Sequence, residues 1–291
     1  MTADSNVECV ADVHAVLGEG PVWVERESAL YWVDIKGWKI FRVDEAGGLR
    51  EWETPFRVGS LVPRAGGGFI SGTDEGIAAI DLDAGRFTII HNPEAHLPEN
   101  RFNDGKVDRA GRFWAGTMDD TEKHSRGTLY RVAPDLTATP IDHGYKITNG
   151  PAFSPSGDII YSTDTARQVT YAFDLDGDGN AANRRVFVNY GKGDGYPDGM
   201  TVDAEGCLWI AFWGGWCLRR YSPGGECIGE IELPVGQPTS CAFGGAKLDR
   251  LYISSASIGI DEAGLAKQPQ AGGLFVCSPG VRGIAELPFA G

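Results

Sequence analysis

One unit recurs along the 291-residue chain, its copies starting 41, 43, 46, 49 and 41 residues apart. Each has a polar residue, a small one, an apolar run, a turn built on D-x-x-G or a variant, and a strand-like stretch with aromatics. The copies read EGPVWVERESALYWVD from Glu19, NDGKVDRAGRFWAGT from Asn103, NGPAFSPSGDIIYSTD from Asn149 and DGMTVDAEGCLWIAF from Asp198. SLVPRAGGGFISGT from Ser60 is degenerate, and TSCAFGGAKLDRLYISS from Thr239 is imperfect. A period of roughly 40–50 residues is the length of a four-stranded propeller blade. The copies therefore predict an all-β fold, a six-bladed β-propeller of four-stranded antiparallel blades, forming a single domain over residues 1–291.

Local patterns agree. In CLWIAFW, Cys207, Trp209 and Ala211 alternate with Leu208, Ile210 and Phe212, and both faces are apolar, as packing between neighbouring blades requires. The 41 glycines are about twice the usual share of roughly 7% and are spread along the chain, which suits many tight turns. VECVADV alternates like a strand ahead of the first repeat and is expected to pair with the last blade, closing the ring and removing an edge. DEAGLAKQ carries the one helix signal, of a turn or two. HNPEAHLPENRF and DDTEKHSRG are expected to form walls over a pocket, since long loops at a propeller's top carry specificity.

A net charge of −14 with no basic run argues against a nucleic-acid partner and against anionic membranes. No stretch approaches the ~20 apolar residues that span a bilayer, and MTADSNVECV lacks a basic region followed by an apolar one, so a cytoplasmic location is expected. Cys9, Cys207, Cys217, Cys227, Cys241 and Cys277 form no C-x-x-C pair and read as free buried thiols. His14, His91, His96, His124 and His143 fall in turns or linkers without metal-ligand spacing. No G-x-S-x-G elbow, phosphate loop or G-x-G-x-x-G follows a strand. DLDGDGNAANRR from Asp174 begins like a calcium loop, but Arg185 stands where a bidentate glutamate is needed, so an outer-blade turn is expected.

In a radial arrangement the first residues of the repeats meet around the axis. These are Glu19, Ser60, Asn103, Asn149, Asp198 and Thr239, all polar. Solvated strand ends explain such a ring on their own; so does a hard-cation site at the mouth of the central channel, since carboxylates and amide carbonyls suit calcium, magnesium, manganese or zinc. Glu19 and Asp198 favour the second reading, because two carboxylates on one axis repel unless a cation or proton lies between them.

LGEGPVW, NRFNDGKVDRAGRFWAGTM, ITNGPAFSPSG, PDGMTVDAEGCLWIA, TSCAFGG and QPQAGGLF stand in the order and spacing of a known family. Across essentially its whole length the chain resembles the regucalcin (senescence marker protein) and gluconolactonase family of six-bladed propellers. The resemblance implies a divalent metal held by Glu19, Asn149 and Asp198, with Asp198 also accepting a proton from the attacking water, and substrate contacts at Arg101 and Asn103. The family's acidic substrate contact falls on Thr121 in GTMDDTEKHSRG, so Asp120 or Glu122 would have to replace it.

The expected activity is metal-dependent hydrolysis of a sugar-acid lactone, such as a glucono-, xylono- or arabinono-lactone, to the aldonic acid. The expected cofactor is one divalent ion among calcium, zinc, manganese, magnesium and ferrous iron; the partner is a small sugar lactone, and the protein acts as a monomer. The alternatives are a non-enzymatic calcium-binding regulator and a phosphotriesterase-like hydrolase using the same metal site.

Overall fold

The structure, a computed structural model, describes residues 6–291. Each repeat forms a four-stranded antiparallel sheet, and the six sheets are the blades of a propeller. The inner strands are Gly18–Val24, Val62–Pro63, Asn100–Val107, Thr148–Phe153, Tyr196–Val202 and Pro238–Gly244, for blades 1 to 6. Glu8–Ala11 supplies the outer strand of blade 6, pairing Glu8 with Val276, Cys9 with Phe275 and Ala11 with Leu274. The chain thus closes its own ring, as the alternation of VECVADV predicts; Met1–Ser5, ahead of it, lie outside the described residues.

The turn aspartates explain why the repeats fold alike. Asp203 accepts the backbone N–H groups of Glu205 and Cys207 at 2.9 and 3.0 Å on one oxygen. Its other oxygen takes the Trp209 indole N–H at 2.9 Å and Arg220 Nε at 2.8 Å. Asp108 does the same in blade 3 with Ala110, Arg112 and the Trp114 indole. Each carboxylate replaces its lost hydration by closing the turn and anchoring the next strand's tryptophan.

Alternation along Leu208–Trp213 sorts the core as predicted. Trp209 and Ala211 pack with Phe243 and Ile253 of blade 6, whereas Leu208, Ile210 and Phe212 pack with Ala152 and Tyr161 of blade 4. Glu262–Leu265 is the one α-helix among the described residues, a single turn, and no helix is long and apolar enough to cross a membrane. The calcium-loop look-alike is an outer turn: Asp174 is spent on Asn183 and Arg185, and Asp176 on the N–H groups of Asp178 and Asn180.

Three details depart from the sequence reading. Cys227 is exposed and Cys9 half-buried, while the other thiols are buried; all are free. His91 ends an outer strand and His143 lies within one, rather than in linkers. Residues 282–290 cross the far end of the propeller. There Arg282 and Gly283 bond to Ala204 and Leu248, Phe289 bonds to Pro63 and Ala65, and Ala290 bonds to Gly111. Phe289 is fully buried against Val62 and Phe113, and Glu286 sits 3.5 Å from Lys106.

Candidate metal and substrate site

Bulges point the ring residues inward. In blade 1 the pairing steps from Glu19 opposite Val33 to Val22 opposite Tyr31, so the inner strand carries one extra residue just after Glu19. Equivalent shifts follow Phe102, Asn149 and Pro197 in blades 3, 4 and 5. Such an insertion re-aims the side chain beside it. Loops around the mouth are pinned by buried aspartates at the ends of second strands. Asp34 accepts the N–H groups of Val16 and Leu17 at 2.8 and 2.9 Å, and Asp164 accepts that of Lys146 at 3.1 Å.

The result is a cavity of ≈ 640 Å³ whose wall includes Glu19, Arg101, Asn103, Asn149 and Asp198. That volume lies within the roughly 300–1,000 Å³ usual for small-molecule sites. All of the implied metal and substrate residues are therefore brought together. Two other ring positions are not part of it. The Thr239 hydroxyl is spent on the Gly18 carbonyl at 2.5 Å, and Ser60 is buried away from the cavity, its hydroxyl unpartnered. Convergence of all six ring residues on one mouth is thus corrected to four, because blade 2 has only a two-residue inner strand and blade 6 turns its hydroxyl into the backbone.

Glu19, Asn149 and Asp198 are 5, 2 and 6% exposed. Glu19 accepts only its neighbour Gly20 N–H, at 3.1 Å, and neither carboxylate forms an ion pair with a described residue. Burial, then repulsion from Asp198 and Asp104, pushes the Glu19 carboxyl well above the ordinary range. Asp198 is pushed up in the same way by burial and then by Asp104. Asn149 is fixed by an Nδ2 bond to Thr165 Oγ1 at 2.8 Å, while its Oδ1 takes Asn103 Nδ2 at 3.1 Å and keeps a lone pair free. Two orphaned buried carboxylates beside an oriented amide oxygen fit a hard divalent cation, whose charge would remove the repulsion. The set contains only two acidic groups; no cluster of three or more His, Cys, Asp or Glu side chains is placed for a metal among the described residues.

Arg101 is 5% exposed, so a surface salt bridge does not describe it. Its Nη1 donates to Asn103 Oδ1 at 2.6 Å and its Nε to Asp120 Oδ1 at 2.6 Å, leaving Nη2 unspent. Asn103 gives both amide hydrogens away, to Thr148 O at 2.8 Å and to Asn149 Oδ1, and so ties Arg101 to Asn149. The acidic candidates separate. Asp120 takes Lys36, Arg101 and Arg57, and these three hold its carboxyl below the ordinary range although burial would raise it. Glu122, on the same wall, is exposed and makes no side-chain hydrogen bond or ion pair with a described residue.

Of the two expected wall segments, DDTEKHSRG contributes Asp120 and Glu122, whereas HNPEAHLPENRF contributes Arg101 alone and nothing from its residues 91–99. Glu94 explains the difference: it is buried and binds Asn100, Thr117 and Tyr130, which fastens that linker into the blade. Of the rest of the wall, Leu17, Met118 and Ile147 fall within the quoted motifs, whereas Lys36, Lys146, Tyr196 and Gln237 lie outside them. Gln237 keeps a buried Oε1 without a partner.

Residues 17–257 match the family model described as SMP-30/Gluconolactonase/LRE-like region. A 6-deoxy-6-sulfogluconolactonase of Pseudomonas putida is 37% identical, covering 99% of this chain and 100% of the relative. Regucalcin of Gallus gallus is also 37% identical, with 98% of both chains covered. Among solved structures, a calcium-binding protein, regucalcin, from Agrobacterium tumefaciens superposes with a TM-score of 0.93 at 28% identity, covering 99% of this chain and 97% of the other.

Proposed function

The chain belongs to the SMP-30/gluconolactonase/LRE-like family and is a gluconolactonase-type hydrolase; from that premise we propose that it opens a sugar-acid lactone to the aldonic acid using one divalent cation. The observation that carries this reading is the pair Glu19 and Asp198, two buried carboxylates in one cavity with no cationic partner bonded to either among the described residues. With Asn149 they would hold the ion. A lactonase of Pseudomonas putida among the relatives supports the reaction class.

A divalent ion in this place supplies Lewis acidity for the lactone carbonyl and makes a nearby water more acidic. Asp198 accepts the proton of the attacking water; because a bound cation would lower the proton affinity of its carboxylate, this role would depend on the ion having made that water acidic. The water oxygen adds to the carbonyl carbon, the ring C–O bond breaks, and the ring oxygen leaves as a hydroxyl of the open acid, taking the proton that Asp198 accepted from the water. Arg101 turns its unspent Nη2 donors toward oxygen atoms of the substrate and stabilises charge developing on the carbonyl oxygen. Asn103 positions Arg101 and Asn149 and offers the second lone pair of Oδ1 to a sugar hydroxyl. Glu122, free of other partners, takes the acidic role toward sugar hydroxyls, and Asp120 is the hub that holds Arg101.

The test is acid release from glucono-, galactono-, xylono- and arabinono-lactones by chelator-stripped protein resupplied with single divalent metals, corrected for spontaneous hydrolysis. Metal-restored turnover is expected. Selective calcium binding without turnover of any lactone would instead support a regulator, the reading favoured by the calcium-binding relative.

A further inference from the structure

Three cationic side chains stand on the cavity wall: Lys36, Arg101 and Lys146. Two are committed, since Lys36 and Arg101 both bind Asp120, at 2.7 and 2.6 Å. The third is not. The Lys146 amine has no hydrogen bond and no carboxylate within ion-pair distance among the described residues, although Glu122 shares the wall. Its backbone is nevertheless fixed, because its own N–H and that of Ile147 are directed at the buried Asp164 carboxylate. It lies in the loop that enters blade 4, three residues before Asn149, and lines the same cavity as the candidate metal residues.

An unpaired lysine costs solvation when its cavity is filled by a neutral ligand and gains an ion pair when the ligand carries an anion. The chain as a whole bears −14, so its long-range field repels anions, and a local cation is needed for one to settle. Resting on the lactonase reading above, we propose that Lys146 is a specificity-determining residue that selects lactones bearing an anionic substituent, a sulfonate or phosphate, on the part of the sugar away from the lactone carbonyl. The carbonyl end goes to the centre at Glu19, Asn149 and Asp198, and the anion to the Lys146 amine.

The experiment compares glucono-1,5-lactone with its 6-phospho and 6-deoxy-6-sulfo forms, using metal-loaded wild type, Lys146→Gln and Lys146→Arg. The wild type is expected to favour at least one charged lactone, and the two charged forms distinguish phosphate from sulfonate. Lys146→Gln should raise KM for the favoured lactone by roughly tenfold, the scale of one lost charge-assisted hydrogen bond. It should leave kcat and the neutral lactone almost unchanged, and Lys146→Arg should restore most of the loss. Equal effects on neutral and charged lactones, or a wild-type preference for the neutral one, would overturn the assignment. If no lactone is turned over with any metal, the lactonase reading fails separately. Calorimetric binding of 6-phosphogluconate, 6-sulfogluconate and gluconate then decides: charged-acid binding weakened by Lys146→Gln keeps the subsite, and binding indifferent to the substitution removes it.

Discussion

Arg101 is held by Asp120: its Nε donates to Asp120 Oδ1 at 2.6 Å, and the same carboxylate takes Lys36 at 2.7 Å and Arg57 at 2.6 Å. Side chains from the second loop of blade 1, the entry to blade 2 and the inner strand of blade 3 therefore converge on one anion. Its charge sets where the guanidinium faces the cavity. Asp120→Asn keeps the shape and removes that charge, and kcat/KM on lactones is expected to fall about 10- to 100-fold, the scale of a misplaced contact. Circular dichroism should be unchanged. Wild-type kcat/KM in the variant would show that Arg101 is positioned without Asp120.

Asp104 follows Asn103 and is fully buried, and burial raises its carboxyl from the ordinary 3.8 to about 6, against partial relief from Lys106. A group raised in the folded state binds its proton more tightly there than in the unfolded chain. Its contribution to stability is therefore complete below pH ~4 and is lost as the pH rises through ~6. A shift of about two units corresponds to about 3 kcal/mol. In metal-free protein, Asp104→Asn should gain up to about that much stability relative to wild type between pH 4 and 7, read by urea denaturation. A difference that stays flat across this window contradicts the assignment.

Glu19 and Asp198 are raised by burial and by acidic neighbours, so a bound cation should stabilise the folded chain. At a hundredfold excess over Kd the gain is about 2.7 kcal/mol, which for a protein of this size is a rise in Tm of about 4 °C. Glu19→Gln should abolish the rise. A metal-induced shift that survives in the variant would place the ion elsewhere.

The closure strand makes a separate prediction. Removing residues 1–13 deletes the pairing of Glu8, Cys9 and Ala11 with Val276, Phe275 and Leu274 and bares the edge of Leu274–Cys277. Loss of those bonds and of the apolar cover is expected to lower Tm by about 10 °C. An unchanged Tm would mean that the ring is held without it.

Legibility in the sequence followed locality. The turn pattern was readable because Asp108 and Asp203 act on partners within a few residues, including tryptophans six positions on. The period then ordered the blades, and the polar first residues marked Glu19, Asn103, Asn149 and Asp198. Ser60 and Thr239 carried the same pattern without the same fate, since the depth of a hydroxyl in the backbone is decided by its own blade. Lys36, Lys146 and Gln237 had no motif to announce them, because only ring closure brings loops of different blades around one cavity. Residues 282–290 fall outside the repeat for the same reason: Phe289 finds its partners Val62 and Phe113 far back in the chain.

The most direct test of the central claim measures metal occupancy and lactone turnover together, in wild type and Asp198→Ala, with folding checked by circular dichroism. The account predicts about one divalent ion per wild-type chain, with turnover rising as that site fills, and a folded variant that has lost turnover at any metal concentration. Near-wild-type turnover in Asp198→Ala, or turnover in fully stripped wild type, would contradict it.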